Sequence, residues 1–277
     1  MDRPIDFTFR DNRPVTAEFH SHSRYEIYYF HGGKCNYVIG SEMYVLHPGD
    51  LILMHGMTLH RPNPDPRVPY IRSIVHFDSG FVKEYLNRVY SAVLLKPFEE
   101  LGNHRIRLEG EAREEVESLL AEMDRWYRHD GDFGYERFLL RFIDLLYAVS
   151  GNCRQPLAEA ASPQTDPERH VRHAIRYMEK HYGEQLTMDD LEHELHVTKH
   201  YLAKVFKELT GSTVFGYLYN RRINEAKLLF TLGGALSVSE VGYRVGFKHL
   251  SHFSRVFKKL AGVTPEEYKK HASRMQA

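Results

Sequence analysis

Three side chains able to bind polar ligands lie near the start of the chain in the pattern His-x-His-x-x-x-Glu. His20, His22 and Glu26 have numbers of the same parity. Because successive side chains of a β-strand point to opposite faces, an extended strand would carry all three on one face. A fourth polar side chain, His60, follows the Pro48-Gly49-Asp50 turn and a second apolar run. The spacing predicts a shared surface of imidazole and carboxylate groups.

Lysine, arginine and histidine recur in two related segments near the other end. YLAKVFKELTG begins at Tyr201 and HFSRVFKKLAG at His252, an offset of 51 residues with seven identities that extend to Tyr268. Apolar residues at helical spacing would be buried, which leaves a basic face without acids on each helix. Such faces suit DNA phosphates and base edges, whereas a merely solvated face explains two matching copies less well. The predicted DNA-contacting residues are Lys199, His200, Lys204, Lys207, His249, Ser251, His252, Arg255 and Lys258.

A short helix and a tight turn precede each basic helix. DDLEHEL leads through His196-Val197 into the first copy, and SEVGYRV leads through Gly246-Phe247 into the second. Two helices joined by such a turn form a helix-turn-helix, whose second helix lies in the major groove of DNA. Apolar residues from Thr213 to Phe230 predict a further helix that holds the two units at a constant separation.

The elements that must position the histidines are short strands. The runs EIYYF, CNYVIG, DLILM and IRSIVHF lie between about residues 15 and 80, separated by glycine- and proline-containing turns. This spacing is typical of a sandwich or barrel, with the proline-rich stretch RPNPDPRVP as a loop. From Glu111 to Ser150 the apolar residues change to helical spacing, interrupted at Asp130-Gly131-Asp132. The change predicts a helical hairpin.

These patterns predict a two-domain α+β protein. A β-barrel with a helical hairpin takes residues 1–150, a small, polar linker takes 151–166, and an all-α domain takes 167–277. The all-α domain holds two helix-turn-helix units joined by a linking helix. The first domain is predicted to sense a small molecule and the last to bind DNA.

The 277-residue chain has no net charge, but its charge is unevenly divided. Residues 166–277 hold 18 basic and 13 acidic residues, so this part carries +5 and the remainder −5. A basic domain behind an acidic one favours a polyanion partner for the basic domain. No run approaches the roughly 20 apolar residues of a membrane span, and the opening MDRPIDFTFR does not resemble a secretory signal. Two cysteines, Cys35 and Cys153, fit a reducing cytoplasm.

The C-terminal pattern, from about residue 170 to 271, resembles the DNA-binding domain of the AraC family of regulators. The residues that carry the resemblance are Tyr201-Leu202, Phe206-Lys207, Gly211, Tyr217, Arg221-Arg222-Ile223, Ala226, Val245-Gly246-Phe247, Phe253-Ser254-Arg255, Phe257-Lys258, Gly262, Thr264-Pro265 and Tyr268. The resemblance implies sequence-specific binding of double-stranded DNA and activation of transcription through RNA polymerase. Glu192 and Gly242 depart from the family's small alanine, and glycine costs about 1 kcal/mol inside a helix.

The N-terminal pattern resembles a cupin barrel, the sensor domain of many AraC-type regulators. Three interpretations stay open: polar residues at a barrel end without a ligand, contacts with a polar effector such as a sugar, or a bound divalent metal. The predicted effector contacts are His20, His22, Arg24, Glu26, Tyr28, Tyr37 and His60. In metal-binding cupins the matching positions are ligands, which here are His20, His22, Glu26 and His60. Such ligands suit Zn, Mn or Fe.

The leading hypothesis is a cytoplasmic transcription activator, not an enzyme, that responds to a small molecule and needs no cofactor. One alternative is a metal-binding cupin domain, a metal sensor or an enzyme, fused to a DNA-binding domain. Another is a constitutive regulator that senses nothing. The sequence contains no nucleophile elbow, P-loop or dinucleotide fingerprint. The helical hairpin, with Trp126, forms the seam of a homodimer or packs on its own barrel.

Overall fold

The computed structural model describes residues 4–15, 18–22, 24–55, 57–100, 103–129, 132–153, 165–232 and 236–275. The strands are β1 Ile5–Asp11, β2 Tyr25–Gly32, β3 Cys35–Ile39, β4 Glu42–Val45, β5 Asp50–Met54, β6 His60–Pro64, β7 Ile71–Phe77 and β8 His104–Arg107. The helices are α1 Ser79–Tyr85, α2 Arg88–Glu100, α3 Gly110–Tyr127, α4 Gly134–Asn152, α5 Asp166–His181, α6 Met188–Leu195, α7 Lys199–Thr210, α8 Val214–Leu232, α9 Val238–Arg244, α10 Leu250–Ala261 and α11 Pro265–Met275.

Within these residues the strands form two antiparallel sheets, ordered β1-β7-β2-β5-β8 and β4-β3-β6. The central strand β2 is buried on both faces. Tyr28 and Phe30 pack between the two sheets, whereas Ile27 and Tyr29 pack in the core shared with helices α1 to α4. Alternate side chains of β2 therefore point into two separate apolar layers. The predicted sandwich or barrel of short strands is confirmed.

Several elements of the barrel differ from the sequence prediction. The proline-rich stretch is not all loop, because its start forms β6 and pairs with β3. β6 is an edge strand, where a missing proline N–H need not break the ladder. β1 begins well before residue 15 and pairs with β7. Helices α1 and α2, between β7 and β8, were also not predicted.

The helical hairpin is confirmed as α3 and α4, which pack on each other and on the five-stranded sheet. Leu120, Met123 and Phe138 are buried in the core that the hairpin shares with the sheet. Trp126 packs within its own chain, since the Arg137 guanidinium lies 4.4 Å from the centre of its ring. The hairpin thus has an intramolecular role, and homodimerisation through it stays a prediction.

The C-terminal part is helical. Thr165, Thr187 and Ser237 each begin a helix with a capping box, in which the side chain and an acid three residues later exchange hydrogen bonds with the backbone. Helices α6–α7 and α9–α10 are two helix-turn-helix units joined by α8, as predicted. The predicted linker 151–166 lies mostly outside the described residues, so the domain boundaries stay predictions. No helix in the described ranges is long and apolar enough to cross a membrane.

The outer face of the three-stranded sheet packs against the first helix-turn-helix unit. Val38 and Met43 of the barrel share one buried cluster with Phe206 of α7. At its edge the Arg176 guanidinium of α5 makes two hydrogen bonds of 3.0 Å to the Glu42 carboxylate. The barrel and the first unit are therefore joined by a common core as well as by the chain.

Candidate nucleic-acid interface and polar cluster

Helix α7 is the second helix of the first helix-turn-helix unit. The Thr198 hydroxyl accepts a hydrogen bond from the Tyr201 N–H and caps its first turn. Leu202 and Phe206 are fully buried, which turns the opposite face of the helix to solvent. The predicted DNA-contacting residues Lys199, His200, Lys204 and Lys207 are all exposed.

This exposed face also carries acids, which corrects the expectation of a face without them. Lys199 Nζ lies 2.8 Å from Asp189 Oδ1 of α6. Glu208 is exposed one turn after Lys204, with 4.0 Å between the charged groups. Ion pairs as exposed as these contribute little to stability. The lysines can therefore leave these carboxylates at small cost.

Helix α10 occupies the equivalent place in the second unit. Phe253 and Phe257 are fully buried. The predicted DNA-contacting residues His249, Ser251, Arg255 and Lys258 are exposed. His252 differs, because its ring lies 5.3 Å from the Tyr219 ring and 5.5 Å from the Phe247 ring. Burial lowers the pKa of His252, so this side chain is a neutral packing group, unlike the exposed residues predicted beside it.

Two arginines of the AraC-type signature hold the linking helix instead of extending into solvent. Arg221 pairs with Glu179 of α5 at 2.7 Å and with Glu225 of α8 at 2.8 Å. Arg222 is buried, and its Nε donates to the Tyr182 carbonyl at 2.7 Å. These residues fix α8 against α5.

The barrel contains a polar cluster centred on Glu26, a buried carboxylate on β2. Its Oε2 lies 3.1 Å from His76 Nε2, 3.2 Å from His22 Nε2 and 3.6 Å from His60 Nε2. Burial alone would raise the pKa of Glu26, but the hydrogen bonds from His22 and His76 hold it well below its usual range. Burial lowers the pKa of His60 to about 4. The cluster therefore combines a persistent anion with several imidazoles.

His20 and His22 lie before β2, which corrects the prediction of one shared strand face. β2 begins at Tyr25, and His20 forms an isolated β-bridge with His60. The His20 side chain is exposed, with its ring centre 4.1 Å from that of His60. The segment before β2, not the two-residue alternation of a strand, brings His22 to Glu26.

The remaining predicted effector contacts lie in different surroundings. The Arg24 guanidinium pairs with Asp6. Tyr28 and Tyr37 are buried between the two sheets, and the Tyr28 hydroxyl lies 2.7 Å from the Tyr70 hydroxyl. Burial raises the pKa of both tyrosines far above its usual range. They are neutral core groups here, and an effector would reach them only if the space between the sheets opened.

Two residues of this region were not predicted from the sequence. His76 on β7 lies directly opposite Glu26 on β2. Asn224 on α8 donates to the Met57 carbonyl at 2.8 Å and accepts from the Ser21 hydroxyl at 2.5 Å. A histidine within the apolar run IRSIVHF is the sequence signal for His76. Nothing local marks Asn224, which contacts the barrel from the other domain.

Two family models match the chain, one for each part. The AraC-like ligand binding domain matches residues 5–123, and the helix-turn-helix domain matches residues 191–271. Fold and sequence together define a regulator class in which a ligand-binding barrel precedes paired helix-turn-helix units. The chain belongs to the AraC family of transcription regulators.

Individual relatives are similar over different lengths. The uncharacterized HTH-type transcriptional regulator YisR of Bacillus subtilis is 33% identical over 117 residues, 42% of this chain and 40% of that protein. The uncharacterized HTH-type transcriptional regulator YdiP of Escherichia coli is 21% identical over 273 residues, 95% of this chain and 84% of that protein. The xylose operon regulatory protein of Escherichia coli is 30% identical over 105 residues, 38% of this chain and 26% of that protein. The chain thus matches less than half the length of YisR.

Proposed function

We propose that the protein is a sequence-specific DNA-binding transcription regulator whose barrel receives the regulating signal. The observation that carries the proposal is the pair of helix-turn-helix units, each with a basic second helix at the surface. Lys204 of α7 and Arg255 of α10 occupy matching positions of the repeat and are both exposed. Basic side chains at equivalent places on two such helices suit phosphate and base-edge contacts in two major-groove segments.

The linking helix α8 supports this geometry. Its 19 residues correspond to a length of about 28 Å at 1.5 Å per residue, and successive major-groove segments on one face of DNA are about 34 Å apart. Arg221 holds α8 against Glu179 of α5, and Arg222 holds it against the Tyr182 carbonyl, which follows α5. A continuous, anchored helix keeps α7 and α10 in a constant relation, so both units are able to contact one duplex.

A DNA-binding measurement with Lys204→Ala/Arg255→Ala tests the proposal. The wild-type full-length protein first selects its preferred site from random duplexes. Affinity for that site and for a shuffled duplex is then measured at one salt concentration, because phosphate contacts depend on salt. We expect the preference for the selected site to fall at least tenfold, since one base contact contributes about 1–3 kcal/mol of discrimination.

The control removes the same number of positive charges elsewhere. Lys83 and Lys96 are exposed on α1 and α2 of the barrel, and their replacement by alanine should leave the preference unchanged. If Lys204→Ala/Arg255→Ala keeps wild-type affinity and preference, the two helices do not bind DNA in this way.

The contact between barrel and linking helix supports a route for the signal. Asn224 of α8 contacts both Ser21 and Met57. The Met57 N–H in turn donates to the His22 carbonyl at 2.5 Å. A ligand that moves His22 therefore disturbs a group that touches α8. An effector that binds one arrangement of barrel and helices more tightly would shift the population towards it and change DNA binding.

A sugar is the effector class put forward first. Its support is the xylose operon regulatory protein among the relatives, together with the carboxylate and imidazoles of the polar cluster, since polar groups that converge in a pocket orient a polar ligand. A thermal-shift screen of the full-length protein with mono- and disaccharides tests this class. Saturable stabilisation by one sugar would support it, and no shift with any sugar would speak against it.

A metal-responsive regulator is the second candidate, favoured by one observation. The ligand atoms of His22, Glu26 and His76 all lie within 4.8 Å of one another. In either case the proposal includes a cytoplasmic location, activation of transcription through RNA polymerase and a homodimer. These features are supported by family membership alone.

A further inference from the structure

The two helix-turn-helix units carry opposite net charges although they share one fold. With histidine counted as neutral, residues 187–211 of the first unit hold three lysines and five acids, −2 in all. Residues 237–262 of the second unit hold five basic residues and one acid, +4 in all. We infer that the second unit supplies the affinity for the phosphate backbone of any duplex, while the first supplies base selection and little charge-based affinity. The inference rests on the proposed function and divides it between the two units.

The difference in charge occurs at positions that the repeat makes equivalent. Glu208 near the end of α7 corresponds to Lys259 of α10, at the offset of 51 residues. In the helix before, counted from the capping residue of each unit, Glu194 corresponds to Arg244. All four side chains are exposed, so the core of a unit requires neither charge. Two surface positions thus reverse their sign between two copies of one fold.

Carboxylates also lie beside lysines of the first unit. Lys199 Nζ lies 2.8 Å from Asp189 Oδ1, and Lys204 Nζ lies 4.0 Å from Glu208 Oε1. The exposed basic residues of the second unit are Arg244, Lys248, Arg255, Lys258 and Lys259. Within the described part of the chain, none of them has a carboxylate oxygen within 4.0 Å of its charged nitrogens. A phosphate therefore meets net negative charge at the first unit and unpaired cations at the second.

The cations of α10 lie on one side of the helix. Arg255, Lys258 and Lys259 are three and four residues apart and therefore neighbours on the helix surface. Phe253 and Phe257 are fully buried on the opposite side. A phosphate contact needs positive charge but no particular base, and such contacts supply most of the affinity for non-specific DNA. This side of α10 thus fits the backbone of a duplex of any sequence.

The barrel packs on the unit that has the lower charge. Phe206 of α7 shares a buried cluster with Val38 and Met43 of the barrel. Among the described residues, the buried cluster of the second unit, which includes Phe253 and Phe257, contains no barrel residue. A change in the barrel therefore reaches the first unit directly and leaves the phosphate-binding side of α10 as it is. The second unit keeps the protein on DNA, and the first makes the regulated contact.

The salt dependence of binding to a shuffled duplex tests this division in the full-length protein. Arg255→Gln/Lys258→Gln removes two charges from α10, and Lys204→Gln/Lys207→Gln removes two at the equivalent positions of α7. Each phosphate contact contributes about 0.9 to the slope of log affinity against log salt concentration. We expect the α10 variant to lower the magnitude of this slope by about 2, which is roughly tenfold in affinity between about 50 and 200 mM salt. The α7 variant should lower it by less than half as much.

Glu208→Lys tests the same division through a gain of binding, which misfolding does not imitate. It gives the first unit the charge that Lys259 gives the second, and it should raise the magnitude of the slope by about 1. Thermal unfolding shows that each variant is folded, and Lys248→Gln/Lys259→Gln replaces the α10 variant if that one is not. Equal slopes for the two double variants, a larger change in the α7 variant, or no gain in Glu208→Lys would overturn the inference.

The outcomes for this division and for the proposed function are distinguishable. A preference for the selected duplex together with equal slope changes refutes the division and leaves the proposed function in place. A slope that only the α10 variant lowers, without preference for any duplex, supports phosphate binding by the second unit and refutes sequence-specific regulation.

Discussion

His31, a residue of β2 outside the polar cluster, shows how a single half-buried imidazole affects stability. Its Nε2 lies 2.7 Å from the Ser73 hydroxyl, and its buried Nδ1 has no hydrogen-bond partner among the residues described. Burial, together with the charge of Arg10, lowers the pKa of His31 to about 4. The folded protein therefore holds a neutral ring under conditions in which the unfolded chain protonates it.

This difference predicts a loss of stability in acid. The unfolded chain binds the proton near pH 6.5 and the folded chain only near pH 4, so the free energy of unfolding falls as the pH drops between these values. We expect His31→Gln, whose amide can replace Nε2, to reduce that fall by about 2 kcal/mol. Urea unfolding at several pH values measures the effect. The exposed His271→Gln should keep the wild-type pH profile, and a His31→Gln profile identical to wild type would contradict the assignment.

The sequence predicted some residues of the polar cluster, but it did so from the alternation of side chains in a strand, which does not apply to the segment before β2. Strand parity placed His22 beside Glu26, but the two meet through the segment before β2. His76 was missed because its place opposite Glu26 depends on the register between β2 and β7. The two residues are 50 positions apart, and no local pattern specifies which strands pair. A histidine in an apolar strand could only indicate that some polar partner exists.

Among the elements, the turn between α9 and α10 depends on a glycine. Gly246 has φ +92°, and a Cβ at this position would lie 2.6 Å from the Tyr182 carbonyl oxygen and 3.0 Å from the Arg222 guanidinium. Gly262, which ends α10, has φ +80° and open space around the equivalent point. The two glycines share a left-handed backbone and differ in the room beside it.

Substitution of alanine for Gly246 and for Gly262 distinguishes the cost of the left-handed backbone from the cost of steric overlap of the new Cβ. We expect Gly262→Ala to cost about 1 kcal/mol for the left-handed backbone. Gly246→Ala should cost roughly 1–3 kcal/mol more, because a carbonyl and a buried arginine must move. Urea unfolding of the two variants measures the difference. Equal losses would show that the turn has room for a side chain.

The helical elements were more predictable than the strands for physical reasons. Apolar residues three and four apart, with capping residues such as Thr187 and Ser237, define a helix within one stretch of sequence. The repeat added independent support for the two units. Strand β6 was taken for a loop because Pro62 and Pro64 remove backbone donors. Only the position of β6 at a sheet edge, which depends on the rest of the fold, makes these prolines acceptable.

At the level of the whole molecule, the barrel completes the end of α7, the helix proposed to contact DNA. Asn63 Nδ2 of β6 donates to the carbonyls of Glu208 at 2.9 Å and Leu209 at 3.1 Å. The last carbonyls of a helix have no partner within the helix. A side chain from another domain supplies one here, so the end of α7 depends on the docked barrel.

Removing this side chain should loosen both partners. Asn63→Ala loses two hydrogen bonds of about 1 kcal/mol each, and we expect faster hydrogen exchange in the end of α7 and in β3 and β6 together. Mass spectrometry of peptides from the full-length protein measures it. Asn220→Ala removes a similar bond to the Gly216 carbonyl within α8 and should leave β3 and β6 unchanged. Faster exchange confined to α7 would show that docking does not need Asn63.

The packing of the barrel against the first helix-turn-helix unit could not be predicted from the sequence. In the run CNYVIG, Tyr37 packs between the sheets while Val38 packs against the first helix-turn-helix unit. A continuous apolar run shows that both faces are buried but not what covers either one. The covering helix is far away in the chain, and its identity is a property of the complete fold.

The division of buried side chains along α8 has a consequence for how the molecule comes apart. Tyr217 and Leu218 belong to the cluster shared with the barrel, whereas Ala226 and Phe230 belong to a separate cluster with α9 and α10. Cooperative unfolding follows shared cores rather than the order of domains in the sequence. We therefore expect the barrel strands that share this core to unfold with the first helix-turn-helix unit, and the boundary between the two helix-turn-helix units to fall inside α8. We expect the second unit to open and re-form independently of the first.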